Sequence, residues 1–201
     1  MHYLCIGIIT KTMAKIYVFM ANGFEDVEAL APIDILRRGG QEVVTVSINA
    51  TREVESAHAV TILADTILTE AGDFSDADLL MLPGGMPGAA NLDMTEGVRE
   101  ALLRQAAAGK KIAAICAAPF ILGKLGLLKG RRATCYPGFE KHLDGASYTA
   151  ELVTVDDNII TGRGPGAAMS FGYTLLRQLG FADAADALQE GMMFNQLIGK
   201  N

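Results

Sequence analysis

Short apolar segments alternate along this chain with stretches of helical periodicity, and this alternation constrains the fold more than any other feature. Strand-like segments occupy residues 15–21, 42–48, 77–85 and 110–115. The clearest helical periodicity covers residues 26–38 and 95–108. Strands that are apolar on both faces are typical of parallel sheets covered by helices. The pattern therefore predicts an α/β protein.

The second half of the chain continues the pattern with one interruption. Residues 117–128 are predicted to be helical, residues 151–162 to form a hairpin, and residues 165–179 and 182–194 to form the last two helices. We expect a flavodoxin-like three-layer sandwich with a mostly parallel central sheet. In such a sheet the carboxyl ends of the strands lie along one edge, where ligands bind.

Charge and hydropathy exclude several classes of protein. The 201 residues include 17 Lys and Arg against 23 Asp and Glu, which gives a net charge of −6. An acidic chain without a basic cluster is not expected to bind nucleic acid. No apolar run approaches the roughly 18–20 residues that span a membrane, so no membrane partner is expected. We predict one domain over residues 13–201, preceded by an N-terminal extension over residues 1–12.

The three cysteines, Cys5, Cys116 and Cys135, are too few and too irregularly placed for a disulfide framework. They show no CxxC spacing and form no zinc-like cluster with the histidines, so no metal site is predicted. This use of cysteine favours the reducing cytoplasm.

Cys116 stands between a predicted buried strand and a predicted helix, with the small residues Ala117 and Ala118 after it. A tight strand-to-helix turn exposes the side chain at its apex, as in a nucleophile elbow. The start of the helix is expected to favour the thiolate, which is the nucleophilic form of cysteine. The alternative interpretation is an inert buried thiol.

Two other strand ends could bring polar groups to Cys116. Gly84 and Gly85 permit a close backbone approach, and their N–H groups could form an oxyanion hole together with that of Ala117. Glu28 lies near the start of the first helix, three residues after Glu25. If burial keeps its carboxyl protonated, Glu28 could move protons beside Cys116.

Four motifs in this order resemble the ThiJ/PfpI superfamily, and within it the parkinsonism-associated protein deglycase branch, which is glyoxalase III-like. They are GFEDVE, LMLPGGMPGAANL, AAICAAP and GRGPGAA. The resemblance covers residues 15–190 and implies a homodimeric protein whose fold is shared with class I glutamine amidotransferases. It implies that Cys116 is the reactive, oxidisable cysteine, that Glu28 hydrogen-bonds to it, and that Arg163 packs near the site.

The resemblance also implies an activity. Members of the family convert methylglyoxal and water to lactate without a cofactor, or act as deglycases on early glycation adducts. The expected partner is therefore a small reactive aldehyde or 2-oxoaldehyde, and no cofactor is expected. The chain differs from many relatives at Tyr136, where they have histidine. A tyrosine is a poor base near neutral pH, so this difference is expected to affect the rate of a glyoxalase reaction.

Two alternatives use the same site. In the first, Cys116 oxidises without turnover in a redox-sensing chaperone, with Cys135 as a less favoured resolving thiol. In the second, less favoured, the chain is a cysteine peptidase or amidase. Protease-like relatives have histidine directly after the cysteine, where this chain has Ala117.

Overall fold

The computed structural model describes residues 12–199. The strands are β1 (Lys15–Met20), β2 (Glu42–Ser47), β3 (Glu53–Glu55), β4 (Thr61–Leu63), β5 (Thr66–Ile67), β6 (Leu79–Leu82), β7 (Lys111–Ile115), β8 (Arg132–Ala133), β9 (Ser147–Tyr148), β10 (Val153–Asp156) and β11 (Ile159–Gly162). The α-helices are α1 (Asp26–Arg38), α2 (Gly88–Met94), α3 (Glu96–Ala107), α4 (Pro119–Lys124), α5 (Ala168–Gln178), α6 (Ala182–Gly191) and α7 (Phe194–Leu197).

Seven strands form one sheet in the order β10-β11-β7-β6-β1-β2-β5. All neighbours in it are parallel except β10 and β11, which form the predicted antiparallel hairpin. The predicted flavodoxin-like sandwich with a mostly parallel sheet is confirmed. Strand β1 lies inside the sheet, between β2 and β6, and the parallel strands around it end side by side at one edge.

Alternate side chains of the central strands enter two apolar layers, as the two-residue period of a strand requires. Val18, Met20 and Ile115 pack on one face with α1, α5 and α6. Phe19, Leu82 and Ala114 pack on the other face with α3 and α4. Burial on both faces explains why these strands have continuous apolar sequences.

The predicted helix over residues 117–128 is wrong in its extent, because α4 covers only Pro119–Lys124. The chain leaves the helix through a turn at Gly126, whose φ of 72° is easily reached only without a side chain. Thr95 directly precedes α3, but its side chain does not cap the helix. Its hydroxyl donates instead to the carbonyl of Asn91, in the short helix α2, which periodicity did not reveal.

The predicted extension over residues 1–12 lies almost entirely outside the described residues, as does Cys5. Its boundary therefore stays a prediction. Within residues 12–199, no helix combines the length and apolar character needed to cross a membrane.

Candidate active site

Cys116 occupies the turn between β7 and α4, with a φ of 65°. A residue with a side chain seldom adopts this conformation, which costs about 1–3 kcal/mol and persists where its surroundings enforce it. The N–H of Cys116 donates to the carbonyl of Gly162 at 2.9 Å, and its carbonyl accepts from the N–H of Tyr136 at 2.8 Å. Two neighbouring segments thus hold Cys116 in the kind of strand-to-helix turn that the sequence predicts.

Glu28 lies in the first turn of α1 and is fully buried, with 0% of its surface exposed. Helix α1 is fixed at this point by Glu25, whose carboxylate accepts from the N–H of Glu28 at 2.7 Å. The carboxyl of Glu28 reaches toward the thiol of Cys116 and the N–H of Gly84, the two polar groups that lower its pKa. Neither carboxyl oxygen has a well-formed hydrogen bond to a described residue. An unsatisfied buried carboxyl favours its protonated form.

The pKa values of both groups are raised. Burial raises the pKa of Glu28 to about 7, against the opposing effect of the Cys116 thiol and with a further rise from the charge of Glu25. Burial and then the negative charge of Glu28 raise the pKa of the Cys116 thiol. The pair therefore keeps at least one proton near neutral pH, and the thiolate forms when the carboxyl holds that proton.

The expectation that the start of a helix would lower the pKa of Cys116 is wrong. Helix α4 has only six residues and begins with Pro119, which has no N–H. The N–H groups of Gly85 and Ala117 do lower the pKa of the thiol, but desolvation and Glu28 outweigh them. Protonation of Glu28 removes the charge that raises the pKa of the thiol after burial, so it favours the thiolate more than the short helix does.

The three N–H groups predicted to form an oxyanion hole do not all point at the same side chain. Gly85 and Ala117 direct their N–H groups at the sulfur, whereas Gly84 directs its N–H at the carboxyl of Glu28. A Cβ at position 84 would lie 2.6 Å from the Cβ of Cys116. Only glycine allows the backbone to approach both reactive side chains this closely.

Tyr136 and Arg163 lie beside the pair but do not complete it. A Cβ on Gly164 would lie 3.1 Å from the Tyr136 ring and 4.0 Å from a carboxyl oxygen of Glu28, so this glycine separates the two side chains. The guanidinium of Arg163 donates to the carbonyl of Ala150. Cys135 is buried in the apolar layer opposite that of Cys116, and burial raises its pKa to about 12.

A short hairpin, β3–β4, reaches the same region, and sequence reasoning missed this. Its Ser56 pairs with Phe24, and its His58 lies 2.6 Å from the carboxylate of Asp26. Among the described residues, Glu25, Asp26 and His58 form one group that could hold a metal ion, with ligand atoms within 4.8 Å of one another. Because Glu25 caps α1 and Asp26 pairs with His58, these side chains already have partners, and the absence of a metal site stays a prediction.

Glu28 should make the fold less stable as the pH rises from 4.5 to about 7. In this window the folded protein holds a proton that the unfolded chain has lost, so stability is full at lower pH and falls as Glu28 ionises. We expect the free energy of unfolding to fall by up to about 3 kcal/mol across the window. Urea unfolding of the native chain and of Glu28→Gln at a series of pH values measures this. The stability of the native chain should drop relative to that of the variant, and parallel curves would contradict the raised pKa.

The fold and the site define an α/β sandwich with a buried cysteine–glutamate pair at the carboxyl edge of a parallel sheet. A family model described as the DJ-1/PfpI family matches residues 14–178. The chain belongs to the DJ-1/PfpI family, which confirms the resemblance inferred from its four motifs.

Relatives of this chain occur in plants, animals and archaea. Protein DJ-1 homologs B and A of Arabidopsis thaliana are 40% and 39% identical over 85% and 95% of this chain. The chain spans only 39% and 48% of their lengths. The Parkinson disease protein 7 homolog of Danio rerio is 34% identical, with 84% of this chain matching 90% of that protein. A Pyrococcus abyssi protein named a deglycase is 32% identical over 76% of this chain and 91% of its own.

Solved structures agree with this assignment. A DJ-1 superfamily protein from Salmonella typhimurium has a TM-score of 0.85 and 37% identity, over 90% of this chain and 98% of its own. Drosophila melanogaster DJ-1beta has a TM-score of 0.86 and 33% identity over the same shares.

Proposed function

We propose that the chain converts small 2-oxoaldehydes such as methylglyoxal into 2-hydroxy acids, with Cys116 as nucleophile and Glu28 as proton carrier. The observation that carries this proposal is the fully buried carboxyl of Glu28 against the thiol of Cys116. Such a pair can pass one proton back and forth without the reorganisation that water would require. The deglycase name of the Pyrococcus abyssi relative supports a carbonyl substrate.

The first step forms a carbon–sulfur bond. The thiolate of Cys116 attacks the aldehyde carbon, and the aldehyde oxygen takes the proton that Glu28 holds. The N–H groups of Gly85 and Ala117 stabilise negative charge on the sulfur before the attack, since both are directed at it. The product is a hemithioacetal, and Glu28 is left ionised.

The second step moves a proton between neighbouring carbons. Glu28 removes the proton from the former aldehyde carbon as the ketone oxygen takes up the hydroxyl proton, and Glu28 then returns its proton to the former ketone carbon, which gives the thioester of a 2-hydroxy acid. Water then attacks the thioester and the carbon–sulfur bond breaks. One proton of the water returns to Glu28 and the other passes to solvent as lactate leaves, which restores the Cys116 thiolate and the protonated Glu28. The aldehyde carbon is oxidised as the ketone carbon is reduced, so the reaction needs no outside oxidant.

Lactate formation from methylglyoxal tests the proposal when the native chain is compared with Cys116→Ala. Formation of lactate by the native chain alone is the expected result. Equal formation by both folded proteins would exclude a nucleophilic role for Cys116.

A redox-sensing role remains the second candidate, and one observation favours it. The N–H groups of Gly85 and Ala117 and a protonated Glu28 surround the sulfur with donors that could bind the oxygens of a sulfinate. Mass spectrometry after mild peroxide should then find oxygen on Cys116 before Cys135, and an unmodified Cys116 would exclude this role.

A peptidase or amidase role has less support. Of the histidines in the described part of the chain, His58 pairs with Asp26, and His142 lies against the rings of Phe120 and Phe139. Neither is placed to act as the base of a Cys–His pair. A homodimer and a cytoplasmic location stay predictions from the resemblance and the cysteine content.

A further inference from the structure

A cleft of about 190 Å³ opens beside the candidate active site. It is lined by Tyr136 and Pro137, by the loop of residues 163–167, and by Leu152. Nothing in the proposed chemistry of Cys116 and Glu28 requires a space of this size next to them.

The cleft is joined to the reacting groups by direct contacts. The N–H of Tyr136 donates to the carbonyl of Cys116 at 2.8 Å. Gly164 lines the cleft and also lies between the Tyr136 ring and the carboxyl of Glu28. The cleft therefore lies next to the pair, where the far end of a molecule bonded to the sulfur of Cys116 would be held if it turned toward Tyr136.

The walls of the cleft are mainly carbon. Leu152 is 58% exposed and Tyr136 is 45% exposed, although both are large apolar side chains. The Tyr136 hydroxyl has no hydrogen-bond partner among residues 12–199, and the guanidinium of Arg163 is engaged with the carbonyl of Ala150. Exposed apolar walls that meet in a concave site favour an apolar ligand group.

We propose that this cleft selects 2-oxoaldehydes whose ketone carbon bears an aryl or similarly large apolar group, and that Tyr136 is the specificity-determining side chain. This inference rests on the proposed function. A methyl group would leave most of the cleft to water, whereas a cavity of roughly 150 Å³ is enough to hold benzene. The ring of Tyr136 supplies a flat face on which an aryl group can stack.

Two substitutions change the cleft in opposite ways. Tyr136→Ala removes the aromatic wall. Gly166→Val narrows the space, and it should fold normally because a Cβ at this position meets no atom within 4 Å. Tyr136→Phe keeps the ring and loses only the hydroxyl. Tyr148→Ala removes another partly exposed tyrosine that does not line the cleft and serves as the matched control.

The first measurement compares kcat/KM for phenylglyoxal, which gives mandelate, with kcat/KM for methylglyoxal. The native chain, Tyr136→Phe and Tyr148→Ala should prefer phenylglyoxal. We expect this preference to fall about tenfold or more in Tyr136→Ala and in Gly166→Val. Equal ratios in all five proteins would overturn the inference while leaving the proposed function in place.

The second measurement needs no turnover. Phenacyl bromide and bromoacetone each alkylate Cys116 as the sulfur–carbon bond forms and bromide leaves, and mass spectrometry follows the adduct. Each rate is divided by the rate with a free thiol in solution. An aryl preference in the native chain that is lost in Tyr136→Ala and Gly166→Val supports the cleft even if no hydroxy acid forms, in which case the proposed function alone fails. A native chain that, after this correction, reacts no faster with phenacyl bromide than with bromoacetone would overturn the inference. If Tyr136→Ala does not fold, the comparison of the native chain with Gly166→Val tests the inference alone.

Discussion

Cys116→Ala should lower lactate formation from methylglyoxal by about 10³-fold or more. No other described thiol can replace Cys116, because Cys135 is fully buried in the opposite layer of the core. Without the carbon–sulfur bond the thioester cannot form, and only slow uncatalysed rearrangement remains. Product formation followed at saturating substrate measures the effect.

The substitution Cys116→Ala should leave the backbone of the turn unchanged. Alanine has the same Cβ as cysteine, so it tolerates the φ of 65° as well as the native residue does. It also removes one of the two polar groups that the buried carboxyl of Glu28 faces, so urea unfolding of the variant is measured beside that of the native chain. Cys135→Ala tests whether loss of any buried thiol has the same effect. A folded Cys116→Ala protein with native turnover would contradict the proposed role.

Glu28→Gln should lower kcat by about 10² to 10⁴-fold. The amide has nearly the shape of the carboxyl but cannot carry a proton from one carbon to its neighbour. Steady-state kinetics with methylglyoxal measures the loss.

The pH profile separates proton transfer from a merely structural role. The rate of the native chain should depend on a group with a pKa of about 7, which is that of Glu28, and this dependence should be absent in the variant. Iodoacetamide should still alkylate Cys116 in Glu28→Gln, because the sulfur stays in place. A variant with native kcat and an unchanged pH profile would contradict the role of Glu28.

The main sheet was predictable because its strands are apolar on both faces. Residues 15–21 and 110–115 contain the observed strands Lys15–Met20 and Lys111–Ile115, and helix α1 has the predicted bounds Asp26–Arg38. The small strands β8 and β9 and the helix α2 have no such signal, because two to seven residues show no reliable period. Helix α4 ends early at turns that the apolar sequence LGLL conceals.

The placement of Glu28 next to Cys116 was predictable, and the electrostatics of the pair were less so. The turn at Cys116 and the approach of Glu28 follow from where strands end in a parallel sheet. The direction of the thiol pKa did not follow, because burial depends on packing from several parts of the chain. The contact of His58 with Asp26 joins residues that are distant in sequence and share no motif. The cleft at Tyr136 likewise arises only when residues 136–137, 152 and 163–167 meet.

The central claim is that the Cys116 sulfur bonds to the substrate aldehyde and that Glu28 then moves a proton. Carbon-13 NMR of Glu28→Gln mixed with methylglyoxal labelled at the aldehyde carbon tests it directly. The account predicts a hemithioacetal signal that accumulates, because in this variant the thiol's own proton can pass to the aldehyde oxygen while the transfer between the two carbons is blocked. The signal should be lost when Cys116→Ala is added. Absence of this signal in the single variant, while the native chain forms lactate, would contradict the mechanism.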